Sequence, residues 1–109
     1  MPKVYITSNG GHDFSKAAQF GSVVFLSTGI INKFRVTEMA REFAHIMSDS
    51  TPNDFLIPNG PTAMSSIACS LFAWKHGKLN LLLWKKGNSS DEDHYERRIL
   101  DLNMMLGGG

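Results

Sequence analysis

The sequence predicts an α/β fold, a small mostly parallel sheet of four or five strands with helices packed on its faces, and three observations lead there. Short apolar runs alternate with helical periodicities through residues 3–84, and helical crossovers return the chain in the same direction, so successive strands run parallel. The run Val23-Val24-Phe25-Leu26 lacks polar alternation, as a strand covered on both faces does. Glycine-bearing turns at Asn9-Gly10-Gly11, Thr28-Gly29 and Asn59-Gly60 separate the runs. The 109 residues suffice for one core, so a single domain is expected over 1–106, followed by a loose glycine tail at 107–109.

Element by element, Val4-Tyr5-Ile6 reads as the first strand. Asp13 caps a short helix through Lys16 to Gln19, which a left-handed Gly21 ends. Ser22 to Ser27 reads as a central strand. Thr37 is placed as the N-cap of a helix whose buried face carries Met39, Phe43, Ile46 and Met47, and Thr51-Pro52-Asn53-Asp54 ends it. Phe55-Leu56-Ile57 is a short buried strand. Pro61 suits the first turn of the next helix, whose stripe is Met64, Ile67, Ala68, Leu71 and Phe72, with Gly77 as its stop. Leu79 to Trp84 forms another strand, and Lys85 to Asp93 a polar connection. The last element is ambiguous: Tyr95, Ile99, Leu102 and Leu106 recur at helical spacing, which favours a helix, while Tyr95 to Leu100 also alternate as an edge strand.

Composition excludes several classes of function. Hydrophobic residues at 42% and charged residues at 19% rule out general disorder. Eleven basic against ten acidic side chains leave a net charge of +1, too little for sequence-independent binding of DNA or RNA. The lone Cys69 cannot form an internal disulfide, and zinc spacing is absent, so a reducing, cytoplasmic setting without metal or cofactor is expected. The start lacks an export signal and no apolar run is long enough to span a membrane.

Parallel α/β sheets gather the loops at the carboxyl ends of their strands along one edge. Here that edge would collect Asn9, His12 and Asp13, then Thr28, Asn32 and Arg35, then Asn59, Gly60 and Thr62. These supply amide and hydroxyl groups, an imidazole, a guanidinium and the free N–H groups of the Pro61 helix, a set suited to an anion. Trp84 or Tyr95 is placed to stack on a base, and Arg35 or Arg97 to meet phosphate. Neither GxGxxG nor GxxxxGK[ST] is present, and His12-Asp13 reads more readily as a helix cap beside an exposed histidine than as a dyad.

The segments Gly11-His12-Asp13-Phe14, Phe20-Gly21, Thr28-Gly29-Ile30-Ile31-Asn32 and His76-Gly77-Lys78-Leu79-Asn80-Leu81-Leu82 resemble the layout of small phage-encoded proteins over nearly the whole chain. Among these, the chain resembles the signal-sequestering Thoeris anti-defence proteins. That resemblance implies an oligomer in the host cytoplasm that binds cyclic ADP-ribose-type or cyclic nucleotide signals without cleaving them. The carboxyl-terminal element, where an arginine contact would be expected, departs from that layout. The expected function is therefore non-catalytic binding of a small anionic nucleotide by a homo-oligomer. One alternative is a module docking on a host or viral protein through its aromatic and Met-rich surface. Another is a nucleotide phosphodiesterase with His12 as general acid or base.

Overall fold

A computed structural model describes residues 1–27, 32 and 34–107. Five strands form one sheet: β1 (Lys3–Ile6), β2 (Ser22–Phe25), β3 (Phe55–Ile57), β4 (Lys78–Lys85) and β5 (His94–Asp101). Helices α1 (Val36–Ile46) and α2 (Thr62–His76) are long, α3 (Leu102–Met105) is a single turn, and 3-10 helices occupy Ser15–Gln19 and Ser90–Glu92. The spatial order is β2-β1-β3-β4-β5, parallel throughout except for β5, which runs antiparallel to β4. The α/β class and the mostly parallel sheet expected from the sequence are thus present.

Strand order dictates the layering. From β1 the chain moves outward to β2, then reverses past β1 to β3 and β4, so right-handed connections put the first crossover on one face and α1 and α2 on the other. Two cores result. Tyr5, Leu56 and Leu79 pack with Met39 and Phe43 of α1 and Met64, Ala68 and Phe72 of α2. Val4, Ile6, Phe55, Ile57, Leu82 and Tyr95 pack with Ala17, and Phe14 and Phe20 lie against them. The second layer is thin, because one 3-10 helix and its flanking loops must cover that whole face.

Four local expectations are corrected. Ser22–Phe25 is an edge strand rather than a central one; its two faces are half-covered by the two layers, and that coverage removed the polar alternation. Gly21 takes a positive φ, of 159°, but not as the left-handed stop of the preceding helix, which Phe20 caps: Ser22 N–H bonds Pro2 O at 2.9 Å, and a Cβ on Gly21 would overlap that carbonyl. Helix α1 begins at Val36 with Arg35 in the capping position, so Thr37 lies inside its first turn, and the helix ends at Ile46, before the Thr51 turn. The carboxyl-terminal helix is overturned over most of its length. The open edge of β4 offered eight residues of backbone pairing, and Tyr95 and Ile99, four residues apart, share a face in a strand as well as in a helix. Helix survives only as α3, where the Asp101 side chain accepts from Met104 N–H. Gly77 does stop α2 in the left-handed conformation, with φ of 69°. Of the expected glycine tail, Gly108 and Gly109 lie outside the described residues.

The turn after α1 meets the end of α2 at Ser50 and His76, whose Oγ and Nε2 are 2.8 Å apart, with the imidazole edge-on to Phe72. Burial, helped by Lys75, pushes the His76 pKa below its ordinary value. A depressed histidine pKa means the unfolded chain binds the proton more readily. This contribution is therefore full above the unfolded pKa and lost as pH falls below it. The urea midpoint should drop between pH 7.5 and 5.5, roughly the window on either side of an ordinary histidine pKa, and the drop should be smaller in His76→Gln. An identical drop in both proteins would exclude His76 as its source.

Candidate functional site

A cleft of about 340 Å³ opens at the carboxyl ends of β3 and the β4 side of the sheet, on the thin layer. Its floor is Ile57 and Leu82, one wall is the segment His12 to Lys16, and the other is Trp84 and Tyr95. The hairpin register sets Trp84 directly opposite Tyr95, and the rings meet edge to face with centroids 4.9 Å apart. Tyr95 is buried, which pushes its phenol pKa up, whereas Trp84 keeps 43% of its surface exposed. The first ring thus anchors the second, which lines the cleft and stays half-exposed.

Lys16 closes the far side. Its ammonium donates to Asp93 O at 2.6 Å and Ser90 O at 3.0 Å, and lies 5.8 Å from the centre of the Trp84 ring. These bonds tie the 3-10 helix after β1 to the loop between β4 and β5. At the rim His12 is exposed and edge-on to Phe14, with centroids 6.1 Å apart, while Phe14 packs on Phe25. The Asp13 carboxylate accepts Ser15 N–H at 2.9 Å, and that bond holds its pKa below the ordinary range. It acts as a turn cap rather than as an orienting group for His12.

Asn59 binds two loops together. Its Nδ2 donates to Ser8 O at 2.8 Å and Gly10 O at 3.1 Å, its backbone N–H bonds Thr7 Oγ1 at 2.6 Å, and Thr7 Oγ1 donates to Asn59 O. Gly60 follows in the left-handed region, with φ of 93°, where a Cβ would sit 2.8 Å from Ser8 Cβ. The loops after β1 and β3 therefore do meet, over the crevice where neighbouring crossovers leave in opposite directions.

The sequence-derived site residues are thus divided. His12, Asp13, Asn59 and Trp84 line one cleft. Asn32 and Arg35 line a different depression of about 510 Å³ beside α1, where the Arg35 guanidinium is paired with Glu38 at 2.7 Å. Asn9 and Gly60 are exposed in the meeting loops, Thr62 begins α2, and Arg97 is exposed on β5 opposite Leu82; none of these four lines the cleft. Thr28 lies outside the described residues. Lys16 and the Ser90 and Asp93 carbonyls were missed, because a contact spanning 77 positions leaves no local sequence signal.

Among the described residues no cluster of His, Cys, Asp and Glu could hold a metal ion, and no helix is long and apolar enough to cross a membrane. Cys69 is half-buried on α2, and burial pushes its thiol pKa up, away from the thiolate that nucleophilic chemistry needs. Comparison with known sequences gives a match of residues 2–98 to the family model of phage Pam3 gp32-like proteins. No curated protein and no solved structure matches the chain.

Proposed function

The chain belongs to the phage Pam3 gp32-like family, as the likeness to small phage-encoded proteins implied, and we propose that it binds a small anionic nucleotide in the Trp84 cleft without turning it over. The half-exposed indole, held edge-on by Tyr95 and faced by Lys16, carries this reading. A base stacked on such a ring gains roughly 1–3 kcal/mol, largely independent of base identity. The Lys16 ammonium has three donors and its two carbonyl partners use two, which leaves one for a phosphate oxygen. The cleft volume falls at the small end of ligand sites, roughly 300–1,000 Å³, which suits a mononucleotide or a compact cyclic nucleotide.

Binding is favoured over phosphodiester cleavage because the Asp13 carboxylate is occupied by the Ser15 amide, and the His12 ring meets only Phe14 among the described residues. For a phage protein, holding a host signalling nucleotide uncleaved would withdraw it from its receptor. That is the anti-defence role implied by the likeness to Thoeris signal-sequestering proteins, exercised in the host cytoplasm. Calorimetry against linear and cyclic nucleotides is expected to show saturable heat, and Trp84→Ala to weaken binding by about 10- to 100-fold. Absence of heat at millimolar ligand removes the proposal. Product formation lost in His12→Ala would instead establish the phosphodiesterase.

A second reading, docking on a host or viral protein, draws on Trp74, which is 87% exposed on α2, and on the exposed Met104 and Met105 of α3. A stoichiometric host partner that is lost in Trp74→Ala and kept in Trp84→Ala would favour it.

A further inference from the structure

The free edge of β5 is a strand whose backbone and charges are arranged for a copy of itself. The Leu102 N–H donates to Gly77 O at 3.0 Å, which continues the β4–β5 register in which Lys78 lies opposite Asp101. Backbone groups alternate in direction along an antiparallel ladder, so residues 94, 96, 98 and 100 face β4 like Leu102. Tyr95, Arg97, Ile99 and Asp101 therefore turn their N–H and C=O groups outward, and the Arg97 carbonyl, which accepts Arg98 Nη1 at 2.9 Å in the single chain, exchanges that bond for a strand partner on pairing. Helix α3 folds back toward β4, away from this edge, with Asn103 against Gly77.

We propose that two copies of the chain pair antiparallel through β5, centred on Ile99, to make one continuous sheet across a two-fold axis. Charge favours this register over its arginine-centred neighbours. Centring the pair on Arg97 sets Arg97 against Arg97, and centring it on Arg98 sets Arg98 against Arg98, both repulsive. Centring it on Ile99 sets Arg97 opposite Asp101 of the other copy, and the symmetry repeats that attractive pair. The outward-facing residues Arg97, Ile99 and Asp101 then exchange their backbone hydrogen bonds in facing pairs. At the centre, Ile99 is 55% exposed in the single chain and is covered by its symmetry mate, with half-exposed Leu100 alongside. Exposed edge strands usually carry charge to prevent pairing; here the same charges disfavour the two registers centred on arginine and favour the one centred on Ile99. The interface lies at the opposite end of the hairpin from the Trp84–Tyr95 pair, so it leaves the cleft open.

Sedimentation velocity on the full chain tests this. Wild type is expected to run at twice the 12.1 kDa of one chain. Arg97→Glu and Asp101→Lys, each alone, turn both cross-strand pairs repulsive and should weaken self-association by roughly tenfold or more. Mixing the two variants restores both attractive pairs, so the mixture should form a heterodimer although neither variant dimerises alone. Ile99→Pro removes only an outward N–H and should give a folded monomer by circular dichroism. A monomeric wild type, undiminished dimerisation of Arg97→Glu, or a mixture that stays monomeric would each overturn the interface.

Discussion

Phe72→Ala is expected to destabilise the protein by roughly 3–5 kcal/mol, lowering its melting temperature by about 15–30 °C. Phe72 is fully buried in the layer between α2 and the sheet, packed in one cluster with Met47, Met64 and Leu79, and its ring supports His76 at 4.7 Å between centroids. Truncation opens a cavity beneath a helix that is already the main cover of β3 and β4 and cannot collapse without moving α2. Domains of this size hold only about 5–15 kcal/mol in total, so the loss brings the chain close to its folding limit. Leu71→Ala, one residue away but half-exposed, is the control and should cost far less. Thermal melts of the two variants that fall together would show that α2 is not packed as described.

The second large effect is expected at Asp54. Its side chain accepts the Lys3 N–H at 2.9 Å and the Thr51 N–H at 2.8 Å, and the residue is only 3% exposed. Its own carbonyl accepts from Asn80 Nδ2 at 2.9 Å, and the same amide reaches Pro52 O at 2.6 Å. One carboxylate and one amide thus pin the amino-terminal ends of β1, β3 and β4 to a single turn. Asp54→Ala leaves two backbone donors without their charged acceptor, a loss of roughly 2–4 kcal/mol. Urea unfolding should show a lowered midpoint at unchanged slope, and Asp54→Asn, which keeps one acceptor, should recover part of the loss. A midpoint equal to wild type in Asp54→Ala would show that solvent replaces these bonds. Because β1 is held at this end, the loop it feeds at the other end, from Ser8 to Phe14, can form a wall of the cleft.

Local chemistry alone was enough to identify the α/β class, the three apolar strands in 3–57, both long helices and the Gly77 stop. Each rests on neighbours in sequence: a β-branched run, a 3.6-residue stripe, a residue free to adopt positive φ. The same reasoning brought together His12, Asp13 and Asn59, because loops at the carboxyl ends of parallel strands must converge, whereas Trp84 was reached only through its aromatic chemistry. It could not separate Arg35 from them, since which face of the sheet a loop serves depends on strand order, and strand order follows from the direction of each crossover.

What only the tertiary structure decided is the fate of residues 94–106, the edge position of β2 and the role of Lys16. Tyr95 and Ile99 share a face under either period, so the choice fell to the unpaired edge of β4, which offers a whole ladder of hydrogen bonds against the few contacts of a surface helix. Lys16 found its carbonyls only when β4 and β5 had already formed the loop that presents them. Contacts between residues tens of positions apart are settled by where the backbone goes, and short-range side-chain chemistry carries no record of it.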